Sequence, residues 1–166
     1  MMLDGRVAPG TMVEMRLLPS PRVTFACLLV FAEATHAAPL TSDEAAIRAL
    51  LDDQVAAWNH GDLEGYMKGY WRSPELSFFG GGERTRGYDE TLARYHRRYK
   101  AEGRAMGTLS FTELTIDVIS TDAAIARGAW HLILPGAKKP EGLFTLVLRR
   151  KPEGWRIVHD HSSSAP

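Results

Sequence analysis

The chain ends on the stretch Trp155-Arg156-Ile157-Val158-His159-Asp160-His161-Ser162-Ser163-Ser164, which combines an aromatic ring, two histidines, a carboxylate and three hydroxyls. Alternate side chains of a β-strand lie on opposite faces, so Trp155 and Ile157 would share one face with both histidines. Asp160 and Ser162 would lie on the other face. Trp155 and Ile157 form the natural core pair. The pattern leaves open whether the histidines continue that buried face or run past the end of the sheet.

Strand-like sequence also fills the region before this ending, since from Gly107 onward the helical period does not return. Three further segments have strand character, namely 108–120, 123–134 and 142–150. Turn-type sequences separate the segments at 121–122, 135–141 and 152–154. Four consecutive strands joined in this way predict an antiparallel meander.

Helical patterns precede the meander. Thr41 and Glu44 have capping-box spacing, and apolar residues then recur every three or four positions until the stop signal Asn59-His60-Gly61. Asp62 can cap a second, shorter helix, and a third carries a tyrosine stripe after Gly87. A short strand is predicted at 75–79, followed by a glycine turn without the residues of a phosphate-binding loop. Helices followed by a meander predict an α+β fold, with helices packed on one face of a curved sheet.

Composition and charge are those of one globular domain. The 166 residues are 45% hydrophobic and 24% charged, and 20 basic residues balance 20 acidic ones. A balanced charge gives no general affinity for nucleic acid, so no nucleic-acid partner is predicted. The cluster Arg94, Arg97, Arg98 and Lys100 follows helical spacing, and its simplest interpretation is a solvated helix face.

Residues 1–37 have the order of a signal peptide. Arg16 and Arg22 precede an apolar run at 23–32, which is followed by small residues suited to cleavage. Translation starting at Met15 would shorten the segment, and a buried N-terminal helix is the alternative. The apolar run is too short to cross a bilayer, so we expect a secreted or periplasmic protein without stable membrane insertion. Cys27, the single cysteine, would be lost with the segment, which excludes disulfides in the mature domain.

Three motifs resemble one superfamily. They are the helix end Ala57-Trp58-Asn59-His60-Gly61-Asp62-Leu63-Glu64-Gly65-Tyr66, the turn Asp122-Ala123-Ala124 and the ending Gly154-Trp155-Arg156-Ile157-Val158-His159-Asp160-His161-Ser162. Together they are similar to the nuclear transport factor 2-like superfamily. Within it, SnoaL-like domains and the association domain of calcium/calmodulin-dependent protein kinase II are the best matches. The resemblance covers residues 41–166.

The resemblance implies a cone-shaped α+β fold, in which a strongly bent antiparallel sheet wraps a long helix and leaves a pocket at its wide end. It also implies a homodimer or higher homo-oligomer. Association domains hold a carboxylate with arginines at positions that align with Trp130, Leu146 and Ser162, so a more apolar, aromatic-walled pocket is expected here. The same alignment puts Thr91 on the pocket wall and turns Asp160 inward. No kinase domain is present, which excludes kinase activity.

Asp160 is the carboxylate with the clearest chemical potential. In an apolar pocket beside Trp130, desolvation would raise its pKa, and it could act as a general base like the aspartate of relatives that isomerise or cyclise ketones. Such a base needs an oxyanion donor, for which Tyr66, Tyr70 and Tyr95 are the candidates. The alternative is that Asp160 pairs with an arginine or caps the end of the strand.

The remaining polar residues give weaker signals. His159 and His161 could join His131 in a zinc site, but nothing brings His131 to the same face, and a hydrogen-bonded structural pair is the simpler interpretation. Trp58 and Phe79 are expected as core or pocket lining. The terminal serines lack a nucleophile elbow, so hydrolase chemistry is not indicated.

These observations favour an exported, non-catalytic domain that binds a small organic molecule or a protein partner. A cofactor-independent isomerase, cyclase or dehydratase acting on a small hydrophobic carbonyl compound is the alternative, with Asp160 and Tyr95 as catalytic candidates. A purely structural assembly module is the third possibility. No cofactor and no metal are predicted. The predicted pocket comprises Trp58, Tyr66, Phe79, Thr91, Tyr95, Trp130, Leu146, Asp160 and Ser162.

Overall fold

A computed structural model describes residues 41–100, 106–136 and 139–165. The predicted signal peptide, residues 1–37, lies outside the described residues. The helices are α1 (Ser42–Asn59), α2 (Leu63–Met67) and α3 (Tyr88–Tyr99). The strands are β1 (Ser77–Gly80), β2 (Glu83–Arg86), β3 (Thr108–Ser120), β4 (Ala123–Ile133), β5 (Glu141–Lys151) and β6 (Gly154–Ser162). None of the described helices combines the length and apolarity that a membrane span requires.

The caps of α1 and α2 form as the sequence predicts. The Thr41 side chain accepts a hydrogen bond from the Glu44 amide, and the Glu44 carboxylate accepts one from the Thr41 amide at 2.7 Å. Asp62 caps α2 by accepting from the Gly65 amide at 2.8 Å. At the end of α1, the Asn59 amide group bonds both backbone groups of Leu109, which ties the helix to β3. The first helix is thus fixed against the sheet at its C-terminal end.

The six strands form one sheet with the order β2-β1-β6-β5-β4-β3. β3 to β6 are the predicted antiparallel meander, which confirms the α+β class. Two details differ from the prediction. β2 was not anticipated, and it forms a hairpin with β1 across the glycine turn. β1 pairs with β6 in parallel, so the sheet is mixed rather than purely antiparallel.

A β-bulge in β6 resolves the question of which face of the last strand is buried. Val147 of β5 pairs with His159 and the next residue, Leu148, pairs with Ile157, so Val158 is an extra residue. An extra residue reverses the alternation of the side chains that follow it. Ile157 and Asp160 therefore both lie on the inner face, and the histidines lie on the outer face.

The core lies between the inner face of the sheet and the helices. Ile47 and Leu51 of α1 pack there with Leu148 and Ile157 from the sheet, and all four are buried. One end of this apolar layer is not filled by side chains, and tyrosines and a carboxylate line it together with aliphatic residues. That end holds the cavity.

Candidate functional site

A cavity of about 110 Å³ lies between the inner face of the sheet and helices α1 to α3. Its walls are mainly aromatic and aliphatic: Trp58, Tyr66, Tyr70, Phe78, Tyr95, Tyr99, Leu109, Phe111, Trp130, Leu132, Phe144 and Leu146. Exposed residues at its rim, including Gly81, Arg98 and Ser164, show that the cavity reaches the protein surface. An apolar cleft with a few convergent polar groups is typical of small-molecule sites.

Asp160 is the buried carboxylate of this cavity, with 3% of its surface exposed. Tyr70 donates its hydroxyl to Asp160 Oδ2 at 2.7 Å, and Ser162 donates to Oδ1 at 2.8 Å. Burial raises the pKa of Asp160 to about 6, although both hydrogen bonds favour the charged form and oppose the shift. Asp160 can therefore gain or lose a proton near neutral pH.

A row of phenols continues from Asp160 into the cavity. The Tyr66 and Tyr70 hydroxyls are 3.4 Å apart, and the rings of Tyr66 and Tyr95 lie 5.4 Å apart, edge to face. Burial, with a further contribution from the negative charge of Asp160, raises the pKa of Tyr66 to about 12. Burial is also the main reason that the pKa values of Tyr70 and Tyr95 lie well above the usual range. These phenols stay protonated and can donate hydrogen bonds.

The aromatic walls hold one another by edge contacts. The indole of Trp58 meets the rings of Tyr66, Tyr95 and Tyr99 at centroid distances of 5.1, 6.0 and 4.8 Å. Its Nε1 group donates to the Met106 carbonyl at 3.2 Å, which satisfies the polar atom of this buried ring. The wall is consequently fixed before any ligand enters.

The end of the chain forms part of the cavity rim. The Ser163 carbonyl accepts a hydrogen bond from Trp130 Nε1 at 2.9 Å. The Ser163 amide donates to the Leu143 carbonyl, also at 2.9 Å. The close approach of Ser163 to β5 requires a glycine at position 142, because a Cβ there would lie 2.0 Å from the Ser163 carbonyl oxygen. Gly142 thus allows the serine tail to reach the cavity.

Most of the predicted pocket residues do line the cavity. These are Trp58, Tyr66, Tyr95, Trp130, Leu146, Asp160 and Ser162. Two do not. Phe79 lies on the opposite face of β1, where its ring contacts His159 and His161, and the preceding Phe78 takes the inner position. Thr91 is buried, but its hydroxyl donates to the Gly87 carbonyl within α3 at 2.8 Å.

Two arginines of the cavity were not predicted as site residues. Arg94 and Arg98 line the cavity, whereas Arg97 pairs with Glu90 and Lys100 lies 3.7 Å from Glu64. The basic cluster is therefore not wholly a solvated face. Arg94 and Arg98 are four residues apart, as are Tyr95 and Tyr99 beside them. This shared spacing is the sequence signal that could have placed the arginines on the same side of the helix as the tyrosines.

The histidines of the last strand lie away from the cavity. His159 Nδ1 is 2.6 Å from the Ser77 hydroxyl, and burial together with the charge of His161 lowers the pKa of His159. His131, two strands away, is within hydrogen-bond distance of Thr112 and Glu141. Within the described ranges, no group of three His, Cys, Asp or Glu side chains is placed to hold a metal ion.

Comparisons with known proteins agree with this architecture. No curated protein matches the chain significantly. Among solved structures, a nuclear transport factor 2-like protein of unknown function from Shewanella oneidensis MR-1 is 39% identical, with a TM-score of 0.67. The match covers 72% of this chain and 97% of that one.

Two more distant structures share the fold. A ketosteroid isomerase-like protein from Erwinia carotovora atroseptica is 20% identical, with a TM-score of 0.62, and the match covers 76% of this chain and 100% of that one. A protein from Xanthomonas campestris assigned as a calcium/calmodulin dependent protein kinase II association domain is 18% identical, with a TM-score of 0.61. That match covers 79% of this chain and 94% of the Xanthomonas chain.

A family model also matches the chain directly. It is the model of the SnoaL-like domain, and it matches residues 47–166, which include every described strand and most of α1. This range contains the whole aromatic cavity and the buried carboxylate. The chain therefore belongs to the family of SnoaL-like domains, with the nuclear transport factor 2-like fold.

Proposed function

We propose that the protein binds a small, mainly apolar organic molecule in the aromatic cavity, with one polar group of the ligand directed at Asp160 and the neighbouring phenols. The observation that carries this proposal is a buried, hydrogen-bonded carboxyl group on the wall of a cavity that reaches the surface. A purely structural module has no need for such an opening. Binding without catalysis is the simplest function of this arrangement.

The energetics of Asp160 support this proposal. Burying a carboxylate is costly unless it is paired or hydrogen-bonded, and the cost shifts its pKa. The partners of Asp160 are a phenol and a hydroxyl rather than a cation, so the structural role of pairing with an arginine is not the one it fulfils. A polar ligand group would replace missing hydration and offset part of the cost.

Native mass spectrometry of the protein purified from its own host tests the proposal. We expect a small adduct on the wild-type chain that is lost in Asp160→Asn and retained in the control Asp117→Asn, which changes an exposed carboxylate on β3. Quenching of tryptophan fluorescence by acetophenone and 4-hydroxyacetophenone provides a second readout, since Trp58 and Trp130 line the cavity. An empty chain that also binds neither probe overturns the proposal.

A second candidate is proton transfer on a small hydrophobic carbonyl compound, as in an isomerase, cyclase or dehydratase. The specific support is the pKa of Asp160 near 6, which suits a general base, together with protonated phenols that could stabilise a developing enolate. Tyr70 contacts Asp160 directly, and Tyr66 and Tyr95 follow it into the cavity. The ketosteroid isomerase-like neighbour shares the scaffold, which supports the possibility only by analogy.

Proton exchange distinguishes this activity from simple binding. Acetophenone, 4-hydroxyacetophenone and cyclohexanone are incubated with the protein in D2O, and loss of their α-protons is followed by NMR. An active base predicts faster exchange that rises as the pH passes about 6 and disappears in Asp160→Asn but not in Asp117→Asn. If all three ketones exchange their α-protons no faster with the protein than in buffer alone, the proposed proton-transfer activity is rejected.

We also propose that the protein self-associates through the outer face of the sheet. Leu143 and Ile133 are exposed there, at 62% and 53%, and covering them with a second copy of the chain would remove their apolar surface from water. The association-domain neighbour supports the same idea at the level of the fold. Light scattering should report an oligomer that Leu143→Lys dissociates, whereas Ile119→Lys, at an equally exposed position of β3, leaves it intact. A wild-type monomer contradicts the proposal.

Export is a further proposal, supported by the order of basic, apolar and small residues before position 38. It predicts that the protein purified from its host lacks about the first 37 residues. The intact mass decides this directly, because a retained N-terminus contradicts cleavage.

A further inference from the structure

Two arginines of α3 lie beside the same glycine at the cavity rim. Arg94 and Arg98 are one helical turn apart, and both line the cavity beside Gly81. An Arg94 Nη2 atom and an Arg98 Nη1 atom each lie 3.7 Å from the position that a Cβ of Gly81 would occupy. Gly81 has a φ of +60°, so the turn holds a residue without a side chain beside both guanidinium groups.

Arg94 is held rigidly in this position. Its side chain is 11% exposed, and it donates to Thr85 Oγ1 at 2.9 Å and to the Gly80 carbonyl at 2.5 Å. Its guanidinium also lies 5.0 Å from the centroid of the Phe78 ring. These contacts fix one positive charge at the rim at low conformational cost.

Arg98 is the more accessible of the two. It is exposed, and its guanidinium lies 5.7 Å from the centroid of the Tyr99 ring. A group entering the cavity between the β1–β2 turn and α3 would pass both arginines. One charge is therefore anchored and the other can adjust, which suits the capture of a flat, charged group.

The cavity is lined by more basic than acidic side chains. Among the described lining residues, the charged ones are Asp160, Arg94 and Arg98. Asp160 receives its hydrogen bonds from the neutral Tyr70 and Ser162, so neither arginine is bonded to it, although the charge of Arg94 acts to lower its pKa. Glu83, 3.4 Å from Arg94, is largely exposed and balances one of the two rim charges. With Glu83 counted, Arg94 and Arg98 leave one net positive charge at the rim, which favours the binding of an anion there.

We infer that the ligand of this cavity is an aromatic carboxylate, with the carboxylate at the rim between Arg94 and Arg98 and the ring between the aromatic walls. A hydroxyl or carbonyl at its far end would face Asp160 and Tyr70. This inference rests on the proposed function and narrows it to one chemical class. The resemblance to association domains implies carboxylate-holding arginines on strands, at positions that align with Trp130, Leu146 and Ser162, whereas Arg94 and Arg98 belong to α3.

The same helix supplies a matched control. Arg97 lies between the two rim arginines in sequence but does not line the cavity, and it pairs with Glu90 at 2.9 Å on the exposed side. Removing Arg97 changes the net charge by the same amount as removing Arg98. A difference between the two variants therefore reports position and not overall charge.

The experiment compares acids with their neutral amides. Binding of 4-hydroxybenzoate, 4-hydroxybenzamide, 6-hydroxy-2-naphthoate and 6-hydroxy-2-naphthamide is measured by calorimetry for the wild type, Arg98→Gln and Arg97→Gln. For the better-binding pair, we expect the wild type to prefer the acid by about tenfold, since the rim supplies charge-assisted hydrogen bonds. Arg98→Gln should remove most of that preference and Arg97→Gln should keep it. Added salt should weaken acid binding and spare amide binding.

Each outcome is decisive. Unchanged amide binding by Arg98→Gln shows that the variant is folded with an intact cavity. Equal affinity for acid and amide in the wild type overturns the carboxylate inference and leaves the proposed function standing. An equal loss of acid binding in Arg97→Gln also overturns the inference, because only net charge would then matter. Absence of binding by all four compounds overturns the inference, and the adduct and ketone measurements described above then decide the proposed function.

Discussion

The inner and outer faces of β5 and β6 carry similar residues in opposite environments. On the inner face Leu148 is fully buried and Asp160 is 3% exposed, whereas on the outer face Leu143 is 62% exposed and His159 is only partly buried. Burial favours the neutral form of both titratable groups, raising the pKa of Asp160 and lowering that of His159. The comparison teaches that the face, and not the residue type, decides what each side chain contributes.

The largest expected difference between the faces concerns packing. Leu148→Ala creates a cavity in the filled part of the core and should lower the free energy of unfolding by about 2–5 kcal/mol. The same change at Leu143, on the same strand, should cost no more than about 0.5 kcal/mol in the monomer. Urea unfolding of both variants at low protein concentration measures the contrast. Similar losses in the two variants would mean that the faces do not differ as described.

The next effect is the pH dependence that Asp160 confers. Between its ordinary pKa of 3.8 and about 6, the unfolded chain releases the proton while the folded chain retains it. The contribution of Asp160 to the free energy of unfolding is therefore fully present below pH 3.8 and is lost as the pH rises to about 6. The loss is about 3 kcal/mol, since one pKa unit corresponds to 1.36 kcal/mol. Asp160→Asn should lack this fall. If the free energies of unfolding of the variant and the wild type change with pH in the same way across the window, the raised pKa is contradicted. Asp117→Asn controls for the loss of one negative charge, together with an exposed ion pair to Arg127.

The hydrogen bond from Tyr70 sharpens the description of the inner face. Tyr70→Phe removes a donor that favours the charged carboxylate, so the pKa of Asp160 should rise further above about 6. Above that pH, we expect a loss of about 1–3 kcal/mol, because a hydrogen bond to a buried charged group disappears. Carbon-13 NMR of the aspartate carboxyl follows the titration directly. Tyr99→Phe is the control, since the described contacts of Asp160 do not include Tyr99, and an unshifted carboxyl in Tyr70→Phe refutes the assignment.

The smallest effect is expected on the outer face. The pKa of His159 is lowered from its ordinary 6.5, so its contribution to stability is present above that pH and is lost as the pH falls below it. This trend is opposite in sign to that of Asp160. His159→Gln should reduce the change of the free energy of unfolding with pH below 6.5. This reduction should be smaller than the one that Asp160→Asn causes between pH 3.8 and about 6. A larger effect for His159→Gln would reverse the ranking of the two faces.

Much of the fold is readable from local sequence patterns. The capping box of Thr41 and Glu44, the stop at Gly61 and the alternation of the four meander strands each depend on neighbours within a few residues. The parallel pairing of β1 with β6 joins segments about 80 residues apart, which no local pattern specifies. The β2 strand, with its charged sequence Glu83-Arg84-Thr85-Arg86, gives no apolar alternation from which it could be found.

The site was accessible from sequence only in part. The tyrosines of the helices were identified as candidates from their helical spacing, and Asp160 from the alignment with association domains that turns it inward. Phe79 and Phe78 could not be ranked, since adjacent strand residues face opposite sides and the register of β1 decides between them. Phe111 and Phe144 have no distinguishing sequence signal, although they meet at 5.0 Å on the cavity wall.

The order of the elements, the helix caps and the chemistry that the last strand can offer follow from local sequence patterns. How that chemistry is used depends on the folded structure. The extra residue Val158 turns Asp160 inward and the histidines outward, and the packing of α3 against β1 brings Arg94 and Arg98 to the rim. Both outcomes depend on register and on long-range packing, which are properties of paired segments rather than of any one segment.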